Sequence, residues 1–91
     1  MRFELFTAEN CAPCKGIIAY LGTQYPDLEY SLVYHHIRPD LFQSLGVRAT
    51  PTLVGDGQIV ALGYDNIINY VKQLTWFDVS ESIKNDEGEE E

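Results

Sequence analysis

Two cysteines set three positions apart are the residues best suited to chemistry. They form Cys11-Ala12-Pro13-Cys14, and the chain of 91 residues has no others. Ile17, Ile18 and Leu21 continue from Cys14 at the spacing of one helical face, so the second cysteine begins a stripe that packs inward. Cys11 lies one turn earlier on the same side. Residues i and i+3 are neighbours on a helix surface, so the two sulfurs can close a bond without unwinding the first turn. A thiol at a helix N-terminus faces unpaired backbone N–H groups and the positive end of the helix dipole, and both favour the thiolate. In such motifs the thiol pKa falls from about 8.5 into the range of roughly 3.5 to 7.5. Cys11 is therefore the expected nucleophile. Cys14, more buried and less acidic, is the expected resolving thiol.

Competing uses of the pair fit less well. Tetrahedral zinc needs four ligands, and the candidates are Cys11, Cys14, His35 and His36. Adjacent histidines on a strand point to opposite faces, so the two do not easily join one site, and no metal is expected. A purely structural disulfide across so short a loop would remove little entropy from the unfolded chain.

Bulk composition bounds the setting. At 45% hydrophobic residues, 91 residues make one domain with one modest core that needs no structural staple. No run approaches the roughly 18 apolar residues of a membrane span. Met1-Arg2-Phe3-Glu4 lacks the charged-then-apolar order of a signal peptide. A cytoplasmic location is expected, where thiols stay reduced and a close cysteine pair is more often catalytic or metal-binding than structural. The net charge of -8 is unevenly placed: seven acids against Lys84 give residues 78–91 a balance of -6, leaving -2 for residues 1–77. The chain thus reads as a domain over 1–77 and an acidic, solvated tail over 78–91 with a solubility role. That sign argues against binding a phosphate backbone, so no nucleic acid and no membrane partner is expected.

The remaining elements must place the cysteines. Arg2 to Thr7 is largely apolar and reads as a strand buried on both faces. The helix from Cys11 carries Pro13 in its first turn, where the missing N–H costs nothing, and ends between Gly22 and Pro26. Leu28, Tyr30, Leu32 and Tyr34 alternate with Glu29, Ser31, Val33 and His35 as a second strand. Pro39 opens a short helix carrying Leu41, Phe42 and Leu45, and Gly46 stops it. Thr52–Val54 and Gln58–Leu62, joined by Gly55-Asp56-Gly57, form an antiparallel hairpin. Asp65 caps a last helix with Ile67, Ile68, Val71 and Leu74 inward, and Trp76 and Phe77 seal the core below it. The order is β-α-β-α-β-β-α, an α/β fold with helices on both faces of a four-stranded mixed sheet.

With that order, residues 1–75 resemble the small, glutaredoxin-sized members of the thioredoxin-fold superfamily. Three segments carry the resemblance: Cys11-Ala12-Pro13-Cys14-Lys15, Gly46-Val47-Arg48-Ala49-Thr50-Pro51-Thr52, and Gly63-Tyr64-Asp65. It implies a cis peptide before Pro51, lying beside the cysteines, and places the backbone of Thr50 against an extended substrate segment with Pro51 closing one side. Ala12 and Pro13 would tune the redox poise and Arg48 would set a charge beside the groove; Lys15 either lowers the Cys11 pKa or is a solvated surface side chain. Tyr64 and Asp65 match a site for the γ-glutamyl end of glutathione, a possible co-substrate; no tightly bound cofactor is implied. An iron–sulfur cluster shared with glutathione, as some glutaredoxins hold, is a further use of the cysteines that this sequence does not favour. The chain departs from both branches. Asn10 and Leu5 stand where thioredoxins have a tryptophan and a buried aspartate, which removes the thioredoxin route for deprotonating the second cysteine. Pro13, Ala49 and Thr50 stand where glutaredoxins usually have an aromatic residue and Thr-Val.

The expected function is that of a monomeric dithiol–disulfide oxidoreductase for protein disulfides, recharged by a reductase or by glutathione, with ribonucleotide reductase a plausible client. The alternative is a docking protein that keeps the fold and binds through its groove or acidic tail without catalysis.

Overall fold

Phe3–Thr7 forms the central strand, β1, and both of its faces have to be covered because Phe3, Leu5, Phe6 and Thr7 are all buried. The computed structural model describes the backbone of residues 2–83 and the side chains of residues 2–74. Three more strands, β2 (Tyr30–Tyr34), β3 (Thr52–Gly55) and β4 (Gln58–Leu62), complete a sheet in the order β2-β1-β3-β4. β2 pairs parallel to β1, while β3 and β4 pair antiparallel to their neighbours. Helices α1 (Ala12–Gln24), α2 (Pro39–Leu45) and α3 (Tyr64–Ile83) connect and follow them in the expected β-α-β-α-β-β-α order.

Alternation along β1 splits the interior in two. Phe3 and Leu5 pack against Ile17 and Leu21 of α1, Leu53 of β3, and Ile67 and Val71 of α3. Phe6 faces the other way, among Val33, Phe42, Val47 and Val54, under α2. Helices therefore cover both faces, α1 and α3 on one and α2 on the other. Each large aliphatic side chain removed from water contributes roughly 1.5–3 kcal/mol, and the fully buried Leu5, Ile17, Leu21, Leu53 and Ile67 fix α1 against the sheet.

Local signals set the helix ends. Tyr25 caps α1, donating its N–H to the Leu21 carbonyl at 2.9 Å, and Pro26 follows where the helix can no longer continue. α2 starts at Pro39 and stops at Gly46, which adopts the left-handed φ of 74°. Arg38 grips the Asp40 carboxylate with two hydrogen bonds of 2.9 and 3.1 Å at the start of α2 and holds that carboxyl below the ordinary carboxylate range. The hairpin turns on Asp56 and Gly57, both at positive φ, 50° and 81°. Asp56 is also tied to the start of β1: its N–H donates to the Arg2 carbonyl and its carboxylate accepts the Arg2 N–H, each at 2.8 Å.

The fold decides one point the sequence left open and changes one expectation. In β2 the alternation has the right period, but Val33 is buried and Leu32 is 42% exposed. β2 is an edge strand, and the α1–α3 layer covers β1 and β3 without reaching over Leu32, whereas Phe42 of α2 covers Val33. The last helix begins at Tyr64, so Asp65 is a first-turn acid instead of the cap; Gly63, at φ 87°, precedes the helix and accepts the Ile67 N–H at 3.0 Å. The boundary drawn on charge between 77 and 78 falls inside α3, whose backbone runs to Ile83. The side chains of Trp76 and Phe77, and the acidic stretch from Asn85 onward, lie outside the described residues. Among those described, no helix is long and apolar enough to cross a membrane.

The positive φ of Gly57 yields a direct test. A Cβ there meets nothing within 4 Å, so Gly57→Ala carries only the conformational cost of the left-handed region, about 1 kcal/mol. Urea unfolding should show a lower midpoint with an unchanged slope.

Candidate active site

Cys11 is the N-cap of α1, held in extended geometry at φ -128° and ψ 103°. From there its side chain turns back over the first turn, and its sulfur accepts the Cys14 N–H at 3.2 Å. The cysteine thus does for this helix what a serine or aspartate cap does for others, satisfying one of its unpaired donors. Pro13, also in the first turn, has no N–H to leave unsatisfied. The two sulfurs are joined in a disulfide, with Cα atoms 5.2 Å apart. Cys14 is completely buried and Cys11 partly exposed, an asymmetry that leaves Cys11 as the sulfur a partner can reach.

The second matched segment meets the first here. The Thr50–Pro51 peptide is cis, and Pro51 is buried. Thr50 Oγ1 donates to the Cys11 sulfur at 3.4 Å, and the Thr50 carbonyl oxygen lies 3.7 Å from the same atom. In the disulfide that sulfur has no proton to give the carbonyl, so this approach is a contact, not a hydrogen bond. In the reduced protein the two Thr50 groups act in opposite senses. The hydroxyl favours a thiolate and the carbonyl a protonated thiol. With the Cys14 N–H added, two donors at 3.2 and 3.4 Å oppose one acceptor farther away, and the balance favours the thiolate.

The third segment joins through the backbone. The Gly63 N–H donates to the Pro51 carbonyl at 2.8 Å, tying the start of α3 to the cis-proline loop. Tyr64 packs on α1 so closely that a Cβ at Gly16 would lie 3.2 Å from its ring. Thr52 Oγ1 donates to the Ala49 carbonyl at 2.7 Å and braces the loop from the opposite side of Pro51.

The fold that brings this cysteine pair against a cis-proline is shared with solved structures. The crystal structure of the thioredoxin-like protein BC3987 is 26% identical over 80% of this chain and 99% of that one, with a TM-score of 0.58. A mutant of the same protein gives 24% identity over 81% and 99%, with a TM-score of 0.60. This chain is a thioredoxin-fold protein. The structure of E. coli glutaredoxin shares the fold at 24% identity over 80% and 95%, with a TM-score of 0.52. No protein-family profile matches the chain, and no curated protein sequence does.

Around this thioredoxin-fold site the sequence-predicted residues divide. Cys11, Cys14, Thr50 and Pro51 come together directly. Pro13 and Lys15 are exposed on the first turn of α1, and Arg48 is exposed two residues before Thr50. Tyr64 and Asp65 open α3 beside Gly16, with Tyr64 half-buried and Asp65 exposed. His35 and His36 do not approach the cysteines as a pair: His35 stacks edge-on against Phe42 at 4.9 Å, and His36 lies 3.7 Å from the Glu9 carboxylate. Sequence reasoning gave Thr50 a backbone role and missed its hydroxyl; the usable signal was a hydroxyl-bearing residue immediately before the proline.

Thr50→Val keeps the shape and removes the donor. Loss of a hydrogen bond to a charged sulfur, worth roughly 1.5–3 kcal/mol, should raise the Cys11 pKa by about one to two. Thiolate ultraviolet absorbance followed against pH in the reduced protein checks this; an unmoved titration would leave the Thr50 hydroxyl without a role.

Proposed function

We propose that the chain is a dithiol–disulfide oxidoreductase that reduces disulfides in proteins, or mixed disulfides with glutathione, acting as a monomer in the cytoplasm. The observation that carries this reading is the disulfide between a partly exposed and a fully buried cysteine at the N-terminus of α1, with Thr50 and cis-Pro51 against the exposed sulfur. The Cys11 thiolate attacks one sulfur of the substrate disulfide, and the other leaves as a thiolate that takes a proton from solvent. Cys14 then gives up its proton and attacks Cys11 Sγ. The sulfur held by Cys11 departs as the second reduced thiol, and the Cys11–Cys14 disulfide remains.

The parts around the sulfurs have matching tasks. An extended substrate segment pairs with the backbone of Thr50 as an added strand, and Pro51 walls off one side. The exposed Pro13 and Lys15 border the approach to Cys11, Lys15 adding positive charge beside it. An electron donor must return the pair to the dithiol. This is a reductase or glutathione, and Tyr64 and Asp65 are the residues assigned to glutathione. Ribonucleotide reductase suits such a protein as a client.

Trapping separates the two cysteines. Cys14→Ser should accumulate a mixed disulfide with an oxidised protein substrate such as insulin, and Cys11→Ser should accumulate none, as read by mass spectrometry. Equal trapping by both variants reverses or voids the roles. If the native chain with dithiothreitol fails to speed insulin reduction and Cys11→Ser behaves identically, the fold serves docking instead of catalysis.

The donor is decided by turnover with glutathione and its reductase against thioredoxin reductase and NADPH. If glutathione is the donor, Asp65→Asn should raise the glutathione KM several-fold through loss of the charged acceptor, with little change in insulin reduction by dithiothreitol. An unchanged KM removes Asp65 from the site.

A further inference from the structure

The two edges of the sheet are finished differently. β2 ends in a turn whose Tyr34 carbonyl accepts the N–H groups of Ile37 and Arg38, and charged Glu29 stands just before the strand. β4 has neither device. Gln58–Leu62 carries no charge and no proline, in a chain of net charge -8, and Ile59 and Leu62 are 37% and 50% exposed. Among the described residues no strand lies outside β4, so the N–H and C=O groups on its outer side lack ladder partners. β3 pairs Val54 with Ile59 and Leu53 with Ala61, which leaves Val60 as a bulge. The bulge turns the strand without covering it.

α3 sets a row of carboxamides beside this edge. Asn66, Asn69 and Gln73 are exposed and recur at the spacing of one helical face. With only Gly63 between them, β4 and α3 run back along each other and enclose a groove of about 390 Å³. Asn66 to Gln73 covers about 10 Å of helix, and Ile59 to Leu62 about 10 Å of strand. Row and edge therefore match in length. Asn66 shows that the row reaches backbone: its Nδ2 donates to the Leu62 carbonyl at 2.7 Å. Asn69 and Gln73 line the same groove, and their side chains make no hydrogen bond among the described residues.

These groups have a chemical preference. A carboxamide both donates and accepts, as a peptide unit does, and it offers no charge to an ion. The charges lie at the ends of the strip, Asp56 in the hairpin and Asp65 in the first turn of α3, both exposed and both acidic. An acidic segment is repelled. A second copy fits poorly too, because antiparallel pairing of two β4 strands brings the Asp56 turn of each copy to the Asp65 end of the other.

We propose that the groove between β4 and α3 binds an extended, uncharged peptide segment, which lies along the outer edge of β4 with apolar side chains on Ile59 and Leu62 and its peptide groups hydrogen-bonded by Asn69 and Gln73. The site is separate from the cysteines and asks for no cysteine in the ligand, so it goes beyond the oxidoreductase reading. Backbone groups carry the recognition, and sequence enters only through neutrality and alternate apolar positions. Leu62 pairs with Thr52 and leads into Gly63, whose N–H donates to the Pro51 carbonyl. A protein held in the groove thus lies one strand from the cis-proline loop.

The test uses the full chain in its disulfide form and a short capped peptide of alternating threonine and valine, ending in lysine and free of cysteine. Nitrogen-edited NMR should show the backbone amides of residues 59–62 and the side-chain amides of Asn69 and Gln73 shifting on titration. Asn69→Ala combined with Gln73→Ala should weaken binding about tenfold, the scale of two lost neutral hydrogen bonds. Ile59→Lys, which puts a charge on the edge, should weaken it at least as much. The same peptide with methylated peptide nitrogens, or with glutamate in place of threonine, should not bind. Native affinity in the double variant or for the methylated peptide overturns the proposal, and so does an unshifted spectrum. Shifts confined to residues 48–51 overturn it by placing the peptide at the cis-proline loop. Shifts in β4 that follow protein concentration without peptide overturn it by giving the edge to a second copy. A chain that binds the peptide in the groove yet reduces no disulfide contradicts the oxidoreductase reading and leaves the groove standing.

Discussion

The Cys14 N–H pointed at the Cys11 sulfur is the contact on which the rest of the site depends. A helix leaves its first N–H groups without partners, and a side chain at the N-cap has to answer them. Here the answering atom is sulfur, so the need that ends a helix properly is the same need that favours an ionised thiol. Stability of the helix and reactivity of the cysteine are one interaction viewed from its two ends. The core keeps that end of α1 in place. Ile17 and Leu21 lock the helix on β1, and Gly16 lets Tyr64 of α3 close over it.

The second constraint is the loop before β3. It brings a hydroxyl and a carbonyl from one residue, Thr50, to the same sulfur, with opposite effects on its charge. Thr52 and Gly63 hold that loop from two sides, through the Ala49 and Pro51 carbonyls. The three sequence segments that mark the superfamily are thus linked by three kinds of contact: a sulfur hydrogen bond, a backbone hydrogen bond and an aromatic ring on a glycine. Each segment is short, but none reaches its place without the sheet between them.

Most of the fold was legible because its signals are local. Asp56-Gly57 between two apolar runs specifies a hairpin, Pro39 and Gly46 bracket a helix, and the stripe from Cys14 to Leu21 specifies the buried side of α1. What failed was non-local. The alternation in β2 has the right period on either face, and only the position of that strand at the sheet edge, with α2 over Val33 and nothing over Leu32, decides which side is buried. Asp65 had the chemistry of a cap, but α3 begins two residues earlier than that cap would set it, directly after Gly63 with its positive φ. In the candidate site, Cys11, Cys14 and Pro51 were singled out by spacing and resemblance, and the fold brings them together. The Thr50 hydroxyl was not singled out, because a side chain 39 residues from the sulfur in sequence contacts it only after folding.

The proposed chemistry requires the start of α1 to hold Cys11, and not Cys14, as a thiolate at neutral pH. It is tested most directly by the pH dependence of iodoacetamide alkylation at each cysteine of the reduced native chain, separated by mass spectrometry. Cys11 should react first, with a midpoint below about 7.5, and Cys14 should react more slowly and titrate higher. A midpoint for Cys11 at or above about 8.5, the value of a free cysteine, or an earlier reaction at Cys14, would contradict it.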